Sequence, residues 1–272
     1  MFQSDRSPLL TALLKAVCYL VLFLGFQMLV SAAVMVAVMS VLGTGAAPVL
    51  LEQAVLGQSD LISLLSGLLT LLFLVVFYLL RRKNPLREVG IIGTDSTLVW
   101  SAAAVTPALY FGVSLLVALL PQSLQEGYEQ ASSSLNDSGP VNFFATVLVA
   151  PLVEEAVFRG AIQSRLNRAL TGGAAVVLSA LVFAVCHGQP VWIAYAFVMG
   201  FLLGRMRMAS GSLLPALAAH VTFNLLGFLV VALEPTVGAG RLTGILLALA
   251  VAGLLVTRRQ LPRLFGFGRA GE

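Results

Sequence analysis

Eight apolar runs follow one another in this chain, at 16–42, 61–80, 99–120, 141–163, 174–188, 190–207, 212–233 and 240–257. Most are about the 20 residues that a helix needs to cross a ~30 Å hydrocarbon core. Inside a bilayer every backbone N–H and C=O must be bonded within the protein, which leaves helices or closed barrels. No two-residue alternation marks strands, so the fold expected is all-α: a polytopic membrane protein of about eight transmembrane helices. Charge agrees, since only 10% of residues are Asp, Glu, Lys or Arg, against roughly 25% in soluble domains. The first apolar run, from Leu9 to Leu42, far exceeds the ~7–15-residue core of a secretory signal and reads as a retained span. The fifth run is short and nearly abuts the sixth, so those two are expected to form a hairpin that stops below the far surface.

The basic residues orient the bundle. With eight spans and a cytoplasmic N-terminus, fifteen of the sixteen Lys and Arg residues fall in cytoplasmic segments and only Arg241 falls outside. Among the fifteen are Arg6, Lys15, the Arg81-Arg82-Lys83 run, Arg165, Arg168, Arg205, Arg207, Arg258, Arg259 and Arg269. The opposite loops carry Glu52, Asp60, Glu126, Glu129, Asp137 and Glu234. The positive-inside rule therefore predicts both termini cytoplasmic. The basic excess is explained by this placement, and no nucleic-acid partner is expected. Cys18 and Cys186 are isolated thiols in apolar segments, expected to be packing residues rather than a disulfide. Residues 122–139, rich in Ser, Gln and Asn, read as a long exposed loop. Three regions follow: 1–140 with the first three spans, 141–233 carrying the chemistry, and 234–272 with the last span and a basic tail. The first two spans hold little polar chemistry and read as packing or gating elements.

Ionisable residues inside spans are rare and functional by default. Glu154 and Glu155 lie side by side in such a run. Residues four apart share a helix face, so Glu155 can pair with Arg159. Glu154, turned about 100° away, is left without that partner and suits a general base. Pro151, three residues earlier, breaks the helix ladder there. The only histidines, His187 and His220, also lie in apolar segments. Phe183, four residues before His187, can shield its ring. Adjacent Cys186 points elsewhere and cannot pair with it. His220 and Asn224 share a face, which suits either an oxyanion site or interhelical hydrogen bonding. Thr222 and Ser212 read as local backbone hydrogen-bonders. By depth Glu154 and His220 match, whereas His187 stands about 10 Å too high at 1.5 Å per residue. A sunken hairpin, or a helix starting near Leu166, would remove the discrepancy.

Glu154-Glu155-x-x-x-Arg159, Phe183-x-x-x-His187 and His220-x-x-x-Asn224, in this order on separate helices, resemble the CAAX protease and bacteriocin-processing family. Its branches include type II CAAX prenyl endopeptidases and bacterial abortive-infection-type proteins. The resemblance covers roughly 141–233 and implies intramembrane proteolysis by a helical core. By it, Glu154 and His187 would activate a water, His220 and Asn224 would hold the oxyanion, and Glu155 with Arg159 would organise the base. It leaves two mechanisms open. One needs no cofactor; in the other, Glu154, His187 and His220 hold a divalent metal such as zinc with an open fourth position. The absence of a His-Glu-x-x-His motif favours the first. No Asp lies in a predicted span, which excludes an aspartyl dyad, and Met208-Ala-Ser-Gly211 lacks the first glycine of a rhomboid-type Gly-x-Ser-Gly.

The expected activity is thus an endopeptidase acting on a membrane-associated peptide or protein, with the bilayer as its other partner. Two alternatives belong to other classes: a non-catalytic chaperone, immunity or scaffold protein on the same fold, and a transporter using the glutamates as a proton relay. Retention of every motif residue speaks against the former. The lack of paired interrupted helices in two halves speaks against the latter. Nothing identifies a prenyl-binding surface, and oligomeric state is not legible. High Ala, Leu and Arg with few Lys suggest a prokaryotic, plasma-membrane source.

Overall fold

The computed structural model describes residues 8–43, 45, 47–133 and 139–267; Arg6, Asp137 and Arg269 lie outside them. The described residues form helices and no strand. In chain order they are α1 (Pro8–Leu42), α2 (Pro48–Leu56), α3 (Ser59–Leu80), α4 (Pro85–Val89), α5 (Ser96–Ala118) and α6 (Gln122–Ser133). There follow α7 (Pro140–Leu166), α8 (Gly172–Val185), α9 (Pro190–Ser210), α10 (Leu214–Val237), α11 (Ala239–Thr257) and α12 (Leu261–Phe265). Seven of these, α1, α3, α5, α7, α9, α10 and α11, are long and apolar enough to span a membrane. The remaining expected span, the fifth, is α8 and has only 14 residues. At 1.5 Å per residue that is about 21 Å, short of a ~30 Å core. The α8–α9 hairpin therefore stops inside the bundle.

Local chemistry sets the breaks. Asn84 caps α4 by accepting the Arg87 N–H, Pro85 occupies its first turn, and Gly90 ends it in a left-handed conformation (φ 89°). Asp95 caps α5 through the Thr97 N–H, and Thr171 caps α8 through the Ala174 N–H. At the hairpin turn Gln189 accepts the Trp192 N–H and Pro190 opens α9, which ends at Gly211 (φ 69°). These are positions where side-chain oxygens, a missing N–H and a missing Cβ fit a helix end.

One expectation is corrected by the helix α6. Residues 122–133 are helical rather than looped. Gln122 donates to Glu126 one turn on at 2.8 Å, and Leu124 and Tyr128 are spaced to share a face. Ser212 bonds both locally and at a distance: its hydroxyl accepts from the Leu214 N–H at 3.2 Å and donates to the Ile92 carbonyl at 2.6 Å, 120 residues away. Thr222 does bond locally, to Ala218 O at 2.8 Å. Both cysteines are free thiols.

The most buried of the long apolar helices is α7. It carries two π-helical stretches, Phe143–Val149 and Glu155–Gln163. Around it pack α1, α3, α8, α9 and α10, while α5 and α11 close the far side. Glycines permit the closest approaches. A Cβ on Gly160 of α7 would stand 2.6 Å from the Val89 carbonyl oxygen of α4. Because that neighbour is backbone, Gly160→Ala must shift a helix rather than a side chain. We expect it to cost ~1–3 kcal/mol, the usual range for overpacking, seen as a lower melting temperature in detergent. An unchanged melt would mean that α4 is not held against α7.

Candidate active site

Glu155 and Arg159 are both fully buried. Glu155 Oε1 accepts from Arg159 Nη1 at 2.7 Å and from His220 Nδ1 at 2.9 Å. One carboxylate therefore ties α7 to itself and to α10. The remaining contacts of Arg159 fix it further. Its Nη2 donates to the Gly200 carbonyl of α9 at 3.2 Å, and its guanidinium lies 4.3 Å from the Phe183 ring centroid. One turn on, Gln163 donates to the Gly204 carbonyl at 3.1 Å. Gly200 and Gly204, four apart, let α9 come this close. A Cβ at the first would meet the Phe183 ring at 3.0 Å, and one at the second would meet Gln163 Oε1 at 2.9 Å.

Glu154 is not left alone as its helical phase suggests. Its Oε2 lies 3.5 Å from His220 Nε2, so the two neighbouring carboxylates address the two nitrogens of one ring. Their surroundings differ: the Glu154 side chain is 22% exposed and that of Glu155 is 0%. The exposed part of Glu154 faces a cavity of about 620 Å³ that His187, His220 and Asn224 also line.

His187 stands just past the end of α8, in the turn before α9, rather than within a helix. The short hairpin removes the expected depth discrepancy without an earlier helix start. Its Nδ1 lies 2.9 Å from the Phe183 carbonyl. A carbonyl can only accept, so Nδ1 carries the proton and Nε2 is the basic nitrogen of the neutral ring. Phe183 is the shared wall: its ring centroid lies 4.8 Å from that of His187 and 6.0 Å from that of His220, edge-on to both.

Asn224 Nδ2 donates to the Thr146 carbonyl at 2.8 Å. Pro151 explains why that carbonyl is available. In the preceding π-helical stretch the Ala150 N–H bonds five residues back, to Ala145 O. The next donor in that register would be residue 151, bonding to Thr146 O, but proline has no N–H. Asn224 uses one amide hydrogen there and keeps a second.

The structure thus brings Glu154, Glu155, Arg159, His187, His220 and Asn224 to one site. Several other residues of the site were not read from sequence. Gln163 follows Arg159 at a further helical turn, and Gly200-x-x-x-Gly204 is a small-residue packing pattern. Both were visible signals. The cavity walls add Tyr110, Tyr128, Trp192 and Tyr195, which look like ordinary core aromatics in sequence. The first spans are not chemically blank either: Asp60 and Ser63 of α3 line the cavity, and Asp60 accepts from Asn142 at 2.9 Å.

Residues 136–226 match the family model described as type II CAAX prenyl endopeptidase Rce1-like. Over that third of its length the chain is similar to the CAAX protease family. The matched stretch runs from just before α7 to Leu226 in α10, and all six candidate site residues lie inside it. No curated protein and no solved structure matches the chain. As for a metal, no three His, Cys, Asp or Glu side chains among the described residues are grouped closely enough to hold an ion. Glu154 and His220 face each other as a pair of donors, and no third joins them, so the arrangement does not fit a three-ligand zinc site.

Breaking a buried pair by removing one partner costs ~3–5 kcal/mol, because the other charge is stranded. Arg159→Ala is expected to destabilise the helical core by that amount in detergent unfolding. The double variant Glu155→Leu/Arg159→Met should recover part of it. Equal losses in both would show that the pair is not what matters.

Proposed function

We propose that this protein is an intramembrane endopeptidase that hydrolyses a peptide bond in a membrane-associated peptide or protein. The carrying observation is Glu154, a carboxylate at a cavity wall with His187 and His220 on the same cavity and a fully buried Glu155–Arg159 pair behind it. The family match supports proteolysis as the activity.

In this reading Glu154 removes a proton from a water held between it and His187 Nε2. The water oxygen attacks the scissile carbonyl carbon, and the carbonyl electron pair moves onto oxygen. The oxyanion accepts from the free amide hydrogen of Asn224 and from His220 Nε2–H. Glu155, accepting at His220 Nδ1, fixes the ring plane, while Arg159 holds Glu155. Collapse of the tetrahedral intermediate expels the amine, which takes its proton back from Glu154. No step is routed through a metal. Tyr110, Tyr195 and Trp192 supply broad apolar walls for a peptide, and no feature of the cavity singles out a prenyl group.

The test is cleavage of a panel of prenylated and plain membrane-anchored peptides by purified protein in nanodiscs. Glu154→Gln should abolish turnover with folding and insertion intact; wild-type turnover in that variant would remove the central claim. Asn224→Ala should lower kcat about 10²–10³-fold, the usual cost of one oxyanion donor. Cys186→Ser should cleave like wild type. Activity should survive a chelator, and loss restored by added metal would reassign Glu154 and His220 as ligands.

A further inference from the structure

The charged residues divide between the two ends of the bundle, and the cavity opens at only one of them. At one end the α3–α4, α4–α5, α7–α8, α9–α10 and α11–α12 connections are bonded together. Lys83 pairs with Glu88 at 3.0 Å, and Arg165 stands 3.9 Å from the same carboxylate. The Leu213 N–H donates to Gly90 O at 2.8 Å, Arg263 pairs with Asp95 at 2.8 Å, and Arg205 donates to Phe265 O at 2.7 Å. This end holds nearly every described Lys and Arg. The opposite end carries α2, α6 and the α10–α11 turn, with Glu52, Glu126, Glu129 and Glu234 and a single cation, Arg241.

The cavity reaches that acidic end. Its walls include Ser59 and Asp60 in the first turn of α3, Tyr128 of α6, Asn142 in the first turn of α7 and Val231 near the end of α10, and no Lys or Arg lines it. Since α8 spans only about 21 Å at 1.5 Å per residue, the hairpin tip falls roughly 9 Å short of that face of a ~30 Å core. Tyr128 brings α6 over the resulting gap.

Short basic loops mark the cytoplasmic side. We propose that the mouth of this cavity faces the extracytoplasmic side, and that the site takes membrane-anchored peptides whose cleaved segment emerges there. The substrate part of this rests on the protease reading above. The acidic rim, with Asp60 in the wall and Glu126 and Glu129 exposed on α6, selects neutral or basic flanking residues over acidic ones. A substrate lipid-anchored in the cytoplasmic leaflet would present its bond at the wrong end of the bundle.

The test separates placement from activity. In a Cys18→Ser/Cys186→Ser background, Glu126→Cys marks the mouth and Arg259→Cys the basic end. A membrane-impermeant maleimide applied to right-side-out vesicles should label Glu126→Cys directly, and Arg259→Cys only after permeabilisation; the reverse pattern overturns the proposal. In parallel, wild type and Glu154→Gln are co-expressed with two single-span reporters carrying one peptide on either side of the membrane. Wild type alone should cut the extracytoplasmic reporter, and cleavage confined to the cytoplasmic one overturns the proposal. Expected labelling with neither reporter cut would uphold the placement and remove the protease reading on which the substrate class depends.

Discussion

A carboxylate with no exposure to solvent stands at the middle of this protein, and much of the surrounding geometry exists to keep it there. Glu155 receives a guanidinium from its own helix and an imidazole from α10 on the same oxygen. Neither partner is free to move: Arg159 is also bonded to the Gly200 carbonyl and stacked on Phe183. Uncompensated, such a charge would cost several kcal/mol in an apolar interior. The cost is met by drawing α7, α8, α9 and α10 onto one point. The same contacts set the plane of the His220 ring, so the structural centre and the candidate chemistry cannot be separated.

The irregular helix is the second device. In α7 two π-helical stretches flank a short α-helical segment that begins beside Pro151. Such stretches are rare and frequently found at functional sites. Here they change which carbonyls are satisfied along the helix. One carbonyl, Thr146, is handed to the Asn224 side chain 78 residues away, which holds that amide at the cavity without a dedicated partner side chain.

The architecture and the grouping of the candidate site residues are largely legible in the sequence because both depend on composition and on spacing within one helix. Apolar length reports spans, and the i, i+4 pairs Glu155/Arg159 and His220/Asn224 report shared faces. What stayed hidden depends on how faces meet. The Glu155–His220 bond joins residues 65 apart, and no spacing encodes it. Spacing within one helix says only that Glu154 lacks the Arg159 contact; the second nitrogen of the His220 ring, 3.5 Å away, comes from another helix. The π-helical stretches shift the phase that spacing assumes, and α6 was hidden by its polar composition.

The shortness of α8 has a consequence for the reaction itself. Non-helical backbone cannot face lipid at membrane depth and is tolerated only against protein or a hydrated space. The Cys186–Gln189 turn satisfies part of its own need: the Gln189 N–H bonds to His187 O at 2.8 Å and the Gly188 N–H to Val185 O at 3.2 Å. Of the turn, His187 lines the cavity. A helix too short to cross the core thereby leaves the imidazole in a turn on the cavity wall rather than inside a helix. In the proposed hydrolysis the membrane delivers the peptide, and the space left by the missing turns of α8 is the route open to water.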